Sequence, residues 1–204
     1  MIRSLRSRLV FSIAGFVMLF MLALLPALQS VFDQAMEQII QQRLAADAST
    51  LVSAARVVDG QLRMPELMPD EEFNLPEAKL LGYVHDREGN LIWHSRSTED
   101  EQLNYMPHFS GGRIDFLRIR DLNQKEYYVY DVEVHLAGDD ELPLSFVTML
   151  PSSEFAPLQQ DFRYKLRLWL GGGLLLLLLL LWLGLTWSLH SLKGVRRELS
   201  EIEA

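Results

Sequence analysis

Residues 170–189 read LGGGLLLLLLLLWLGLTWSL, and residues 9–28 read LVFSIAGFVMLFMLALLPAL. An α-helix of about 20 residues, rising about 1.5 Å per residue, crosses the ~30 Å hydrocarbon core of a bilayer. The two stretches therefore predict membrane-spanning helices over residues 9–31 and 163–189. They divide the 204-residue chain into a short N-terminal segment, a polar middle and a short C-terminal segment.

Basic residues at both ends set the predicted orientation. Short flanks on the cytoplasmic side of a membrane carry an excess of Lys and Arg, so residues 1–8 and 190–204 are expected in the cytoplasm and residues 32–162 outside it. The first apolar run is too long for a cleaved signal peptide, and we interpret it as an uncleaved anchor. The residues that carry the orientation are Arg3, Arg6, Arg8, Lys193, Arg196 and Arg197.

The composition of the middle limits its chemistry. Residues 31–161 hold 24 Asp and Glu but 10 Lys and Arg, which gives this part a net charge of about −14. Such a charge argues against nucleic acid and favours divalent cations or cationic peptides. The chain has no cysteine, which suits an oxidising compartment and excludes thiol chemistry, disulfides and zinc–thiolate sites.

The pattern of the middle predicts an α+β domain. Apolar residues at helical spacing predict that the first helix continues to Arg56. Their stripe is wide enough to pack on the sheet of the same domain and to form a dimer seam. Asp59-Gly60 is predicted to end the segment as a turn. Residues 64–76 hold three prolines and predict a loop or a short helical turn, and residues 79–95 predict a β-hairpin. Three further strands are expected over residues 113–120, 126–135 and 144–150. The result is an antiparallel sheet with a long N-terminal helix, typical of PAS-like (PDC-type) sensor domains.

Two local features carry further expectations. Residues 126–135 alternate with a period of two, which predicts a strand with one face on a core and the other wetter. Residues 151–154 read PSSE, which predicts a helix start with a serine cap and an acid near the positive end of the helix dipole.

No catalytic constellation stands out in the sequence. It contains no G-x-S-x-G, no H-E-x-x-H and no glycine-rich phosphate loop. The candidate sites are instead acidic clusters in loops, where a hard divalent cation such as Mg²⁺ or Ca²⁺ relieves the repulsion between carboxylates; the alternative is that these carboxylates only keep the surface solvated. The clusters are Asp70, Glu71 and Glu72; Glu99, Asp100 and Glu101; and Asp139, Asp140 and Glu141. Four scattered histidines are candidate pH sensors: His85, His94, His108 and His135.

Several segments together resemble one family. The opening MIRSLR, the segment QRLAAD at 42–47, the hairpin from LGY at 81–83 to WHSRS at 93–97, and the exit TWSL at 186–189 are similar to the PhoQ family of magnesium-responsive sensor histidine kinases, in its pseudomonad-type form. The resemblance implies a periplasmic PAS-like sensor in the bacterial inner membrane, touching its anionic lipids. It also implies a homodimer, repression of kinase output by divalent cations, and acid pH or cationic peptides as further stimuli.

The chain departs from the family pattern in places. The enteric form of the family has a dense acidic helix where this chain has the nearly neutral residues 118–123, so the acidic loops above are proposed as substitutes. Residues 190–204 resemble the start of a HAMP linker, with Leu192, Val195 and Leu199 as the apolar seam that relays the signal. These 204 residues include no phosphoacceptor-histidine motif and no ATP-binding domain. ATP and a cognate response regulator would belong to a kinase portion, so the chain is expected to be a fragment or a kinase-less sensor with no catalysis of its own.

Other functions share this layout. A chemoreceptor or a cyclic-dinucleotide enzyme has a similar input half, and either is an alternative to a histidine kinase. An envelope scaffold that holds a complex through its outer domain is an alternative from another class. It predicts tolerance of neutralised acidic loops and no ligand-dependent change.

Overall fold

The computed structural model describes residues 5–98, 105–107, 109, 114–136 and 142–199, with side chains from 12 to 184 within those ranges, except at 142. The chain divides into two compact units. One comprises Met1–Asp33 and Leu158–Ala204, and the other comprises Gln34–Pro157.

The first unit is built from parts of two long helices. Helix α1 covers Leu5–Ala54 and helix α2 covers Ala156–Leu199. By length and composition both are able to cross a membrane, over the searched portions Ser12–Ala54 and Ala156–Gly184. Most of their large apolar side chains are exposed, as expected for two membrane anchors. α1 passes through Pro26 and ends at Ala54, so the predicted continuity of the first helix is confirmed, with an end two residues before the predicted Arg56.

The second unit contains the sheet. Strands β1 (Arg56–Val58) and β2 (Gln61–Arg63) form a separate hairpin. A five-stranded sheet has the order β4-β3-β7-β6-β5, and each neighbouring pair in it is antiparallel. Its strands are β3 (Leu81–His85), β4 (Leu91–His94), β5 (Ile114–Arg120), β6 (Glu126–Leu136) and β7 (Leu142–Pro151). The predicted hairpin and three later strands are confirmed, within one or two residues at each end.

One face of the sheet, called here the helix face, packs on α1. Side chains of α1 at helical spacing meet alternate side chains of β3, β6 and β7 in one apolar cluster. Phe73, from a 3₁₀ turn over Glu71–Asn74, closes this cluster and lies so near Gly82 that an added Cβ there would meet its ring at 2.8 Å. The buried members from α1 are Ile40, Leu44, Ala48 and Leu51, and buried Ala55 follows directly after the helix.

The opposite face, called here the far face, is also buried, and the expectation of a wetter face was wrong. Tyr127, Val129, Val147 and Met149 form a second cluster there, with Tyr105 packed against it. The central part of β6 is therefore buried on both sides. The alternation in the sequence did not separate the faces by polarity because aromatic and β-branched residues occupy both of them.

Two turns differ from the expectations. Asp59-Gly60 does not simply end the helical segment: both residues have positive φ, of 53° and 72°, and they connect β1 and β2. The serines at 152 and 153 lie inside a 3₁₀ turn over Ser152–Glu154 whose N-cap is Pro151, without a side-chain capping bond. The serine cap was therefore wrong, and α2 begins at Ala156.

Candidate functional site

The far face carries a buried polar network centred on Asp131. Its carboxylate is only 5% exposed and accepts two hydrogen bonds, from the Ser145 hydroxyl to Oδ1 at 2.6 Å and from the Tyr105 hydroxyl to Oδ2 at 2.9 Å. Asp131 and Ser145 lie on the paired strands β6 and β7, and Tyr105 precedes β5. Residues from three separate parts of the chain therefore hold one buried carboxylate.

Two further carboxylates surround this network. Asp115 lies directly opposite Asp131 in the β5–β6 register, and Glu133 follows on the same face of β6. Burial raises the pKa of the Asp131 carboxyl, the bonds from Ser145 and Tyr105 lower it, and the charges of Asp115 and Glu133 raise it, with a net upward shift. The arrangement can take up a proton when the surroundings become acidic.

Tyr105 keeps its proton in this arrangement. Burial and the negative charge of Asp131 both raise the pKa of its phenol well above the usual value. The phenol therefore remains a hydrogen-bond donor to Asp131 at physiological pH, and the carboxyl of Asp131 is the member of the bonded trio that can titrate.

His85 lies on the same face. It pairs in register with Ser145 and is 6% exposed. Its Nδ1 has no hydrogen-bond partner, and the ring lines a cavity of about 180 Å³ together with Tyr83, Tyr105 and Met149. Burial lowers the pKa of the imidazole, so the ring is neutral near pH 7. Its protonation would place a positive charge in a buried setting.

The other predicted pH-sensing histidines lie elsewhere. His94 Nδ1 is 2.8 Å from the Thr98 hydroxyl and 3.2 Å from the Ser95 carbonyl oxygen, in the turn after β4. His135 is exposed near the end of β6. His108 lies outside the described residues.

The acidic run at 70–72 forms the N-terminal end of a 3₁₀ turn. Asp70 Oδ1 accepts from the backbone N–H of Glu72 at 3.0 Å, so one carboxylate caps the turn. Arg43 of α1 donates through Nη2 to both Glu72 oxygens, at 2.9 and 3.0 Å. Two of the three acids are therefore already engaged by protein groups.

Asp47, one turn along α1 from Arg43, is the titratable group that sequence reasoning missed here. Its Oδ2 is buried without a hydrogen-bond partner and lies 4.0 Å from Arg43 Nε. Burial raises the pKa of Asp47 to about 6, against the attraction of Arg43 and with help from the charges of Asp70 and Glu72. Asp47 can therefore gain or lose a proton near neutral pH.

The remaining predicted site residues are not brought together by the described structure. Within the described ranges no three His, Asp or Glu side chains are arranged to hold a metal ion. The clusters Glu99, Asp100 and Glu101, and Asp139, Asp140 and Glu141, lie outside the described residues. The predicted relay residues Leu192, Val195 and Leu199 are on the helical backbone of α2, and their side chains also lie outside what is described.

The first unit has a paired polar and aromatic contact between its two helices. The rings of Phe32 and Phe162 stack with centroids 3.7 Å apart. Beside them Arg163 Nη2 lies 3.2 Å from Asp33 Oδ2. At this level a stacked ring pair and an ion pair link the two helices.

Sequence reasoning looked for consecutive acids and so missed Asp131. Asp115, Asp131 and Ser145 are far apart in the sequence, and the pairing of β5, β6 and β7 brings them together. The available signal was an Asp within the apolar and aromatic run YYVYDV at 127–132, which indicates a buried polar group with partners elsewhere.

Comparison with known proteins gives a match over the whole chain. No family model matches. The chain is 54% identical over 204 residues to a "Two-component sensor PhoQ" of Pseudomonas aeruginosa. The match covers 100% of this chain and 46% of that protein, so the chain spans just under half the length of its relative.

Proposed function

Over its whole length the chain is homologous to the N-terminal portion of a PhoQ-type two-component sensor, and we propose that it is the transmembrane input of a sensor histidine kinase. The observation that carries this proposal is the 54% identity, which covers both long helices and the sheet. Signal transduction then starts in the Gln34–Pro157 unit and leaves through α1 and α2.

The proposed protein lies in the bacterial inner membrane and passes it twice. The two helices are long and apolar enough to do so, and by the positive-inside rule the basic flanks favour a cytoplasmic position for both termini. The sheet unit is then periplasmic. A five-stranded antiparallel sheet with a long helix on one face supports a PAS-like assignment for it.

Divalent cations are the first proposed stimulus. The periplasmic part is strongly acidic, and the charges of Asp70 and Glu72 already raise the pKa of Asp47. Mg²⁺ or Ca²⁺ bound through carboxylate oxygens at residues 70–72, 99–101 or 139–141 would relieve the repulsion within each cluster, with anionic lipid phosphates as further ligands. Cationic peptides would compete for the same charges.

Acid is the second proposed stimulus. The pKa of about 6 at Asp47 and the raised pKa of Asp131 mean that both carboxyls take up protons as the periplasm acidifies. Among the predicted histidines that the structure describes, His85 is the buried one with an unpartnered ring nitrogen. A stimulus acts only if it binds two packings of the domain with different affinity, and buried titratable groups meet that condition for protons.

The proposed output is kinase control in a homodimer. Residues 190–204 would begin a HAMP linker, and the kinase portion, which binds ATP and phosphorylates a cognate response regulator, would follow it. The Phe32–Phe162 stack and the Asp33–Arg163 pair support a coupled movement of the two helices. Such helix shifts are a usual form of switching in signalling proteins.

A chimeric sensor tests the proposal. The chain is joined after Ala204 to the remaining cytoplasmic portion of the Pseudomonas aeruginosa relative, and response-regulator phosphorylation is measured in cells. We expect phosphorylation to fall as external Mg²⁺ rises from micromolar to millimolar, and to rise on acidification from about pH 7.5 to about pH 5.5. A chimera that is active but unresponsive to both stimuli would contradict the proposed stimuli.

Matched variants separate the two stimuli. Neutralising the three acidic clusters to Asn and Gln should abolish the Mg²⁺ response, while Glu77→Gln with Glu154→Gln should leave it intact. Asp47→Asn should reduce the acid response, and the exposed neighbour Glu71→Gln should not. Because the cluster variant removes nine charges and the control removes two, equal effects per charge removed would assign the response to net charge rather than to these clusters.

A further inference from the structure

The β1–β2 hairpin places two arginines directly opposite each other. Arg56 and Arg63 are Cα partners in its antiparallel register, so their side chains project from the same face. Like charges in this position repel and destabilise a hairpin. The hairpin has no part in the carboxylate networks described above.

Both arginines line one groove. It has a volume of about 750 Å³ and lies between the end of α1, the hairpin and the loop that follows β2. Its lining combines the two guanidinium groups, the hydroxyls of Ser49 and Ser53, and apolar surface from Val58 and Leu67. No acidic side chain is among the described residues that line it, in a unit that is otherwise rich in Asp and Glu.

The two arginines differ in how they are held. Arg56 Nη1 donates to the carbonyl oxygens of Ser53 and Ala55, both at 2.8 Å, which fixes its guanidinium at the C-terminal end of α1. Its Nη2 and Nε make no hydrogen bond or ion pair with the described part of the chain. Arg63 is exposed and has no ion-pair partner among the described side chains. One guanidinium is thus oriented in advance, and the other is free to close on a ligand.

The hydroxyls add a donor with a defined capacity. Thr50 and Ser53 give their protons to the carbonyl oxygens of Ala46 and Ser49, so those protons are not available to a ligand. The Ser49 hydroxyl is exposed and has no bond to any described group. It can donate into the groove beside the two arginines.

We propose that this groove binds a phosphate group, as a free anion, on a small phosphorylated molecule, or on a lipid headgroup. A guanidinium group donates paired hydrogen bonds to phosphate oxygens. Two guanidinium groups on one side of a hairpin balance the charge of a phosphate dianion. A phosphate would also remove the repulsion between Arg56 and Arg63. The apolar part of the groove, at Val58 and Leu67, leaves room for an organic substituent.

This site is separate from the proposed stimuli. It takes an anion, whereas the acidic clusters take cations, and the two involve different residues. Its failure would leave the sensor assignment unchanged, and failure of the chimera to respond would leave the groove unchanged.

Inorganic phosphate binding to the full chain in a neutral detergent tests the site. Calorimetric titration is run against chloride at constant ionic strength, on the wild type, Arg63→Gln and the control Lys79→Gln. Lys79 is exposed, is not part of the groove, and loses the same charge. We expect saturable binding that Arg63→Gln weakens by about tenfold or more, the scale of one lost charge-assisted hydrogen bond, and that Lys79→Gln leaves unchanged.

Two further results decide the proposal and its source. Absence of saturable binding, or equal weakening by Arg63→Gln and Lys79→Gln, would overturn it. Because Arg63 is exposed and opposed by a like charge, its variant should melt no lower than the wild type, so loss of binding cannot be assigned to unfolding. Repeating the titration in phosphatidylglycerol nanodiscs separates the sources: loss of phosphate binding there assigns the groove to lipid phosphate, and retention assigns it to a soluble phosphate.

Discussion

The two faces of the five-stranded sheet are both buried, yet they are built from different chemistry. The helix face packs apolar side chains of α1 and the strands, and includes a buried hydrogen bond from the Thr148 hydroxyl to the Leu44 carbonyl oxygen. The far face mixes apolar side chains with Asp131, Ser145 and His85. Apolar burial stabilises without directional demands, whereas buried polar groups stabilise only while each has its partner. Both faces therefore contribute apolar burial, and the far face adds two buried titratable groups, Asp131 and His85, to the sheet.

The largest expected loss of stability comes from a substitution in the helix face. Phe146 of β7 is fully buried in the cluster against α1, and Phe146→Ala should lower the free energy of unfolding by about 3–5 kcal/mol, from lost burial plus an unfilled cavity. Urea unfolding of the full chain in detergent measures this change. Leu122→Ala, at a side chain that is 90% exposed, is the control and should change little. Similar losses at both positions would contradict the assignment of the core.

A smaller effect is expected on the far face. Asp131→Ala leaves the Ser145 and Tyr105 hydroxyls without their acceptor, and should cost about 1–3 kcal/mol. Asp131→Asn keeps an acceptor oxygen and removes the buried charge, so it should cost less than Asp131→Ala at neutral pH. Thermal melts of the three proteins make the comparison. An Asn variant as unstable as the Ala variant would show that the charge, not the hydrogen bonding, holds the network.

The helix face was predictable from sequence, and the far face was not. The spacing of Ile40, Leu44, Ala48 and Leu51 requires a helical stripe whatever it packs against, so the long helix and its buried side follow from local pattern alone. The hairpin over residues 79–95 is likewise local, because its two strands and their turn are consecutive in the sequence. These features need no knowledge of distant pairing.

The far-face network depends on strand order and register, which the sequence does not encode locally. Asp131 meets Tyr105 and Ser145 only because β6 lies between β5 and β7 and pairs with a fixed offset. Asp47 illustrates a related limit. Its residue type suggests a solvated helix position, and its raised pKa arises from burial beside a turn that is more than twenty residues further along the chain. Runs of adjacent acids were visible in the sequence, but single acids brought together by folding were not.

The pH dependence of the free energy of unfolding should have opposite signs for Asp47 and His85. The folded pKa of Asp47, about 6, lies above its ordinary 3.8, so the ionised carboxylate costs stability above pH 6 and the cost disappears as pH falls toward 3.8. Asp47→Asn should therefore be more stable than the wild type near neutral pH, by roughly 1 kcal/mol after screening by Arg43 and solvent, with no difference near pH 4.

The folded pKa of His85 lies below its ordinary 6.5, so folding loses stability as pH falls below 6.5 and the imidazole is forced to charge. The stability of His85→Gln relative to the wild type should therefore rise as pH falls, whereas the relative stability of Asp47→Asn should fall. Melting temperatures at a series of pH values test both variants. Parallel pH profiles for the two would contradict opposite burial effects, and Glu71→Gln, at an exposed carboxylate, should follow the wild type throughout.

The smallest effect is expected at the exposed border of the helix face, where Arg118 of β5 pairs with Glu37 of α1. Both side chains are nearly half exposed, so a double-mutant cycle with Arg118→Gln and Glu37→Gln should give a coupling of about 0.2–0.5 kcal/mol that shrinks in high salt. Arg118 also lies 4.7 Å from the centre of the Tyr128 ring, so Arg118→Gln alone should cost more than Glu37→Gln alone. A coupling of several kcal/mol, insensitive to salt, would mean that this ion pair, and not apolar packing, holds α1 against the sheet.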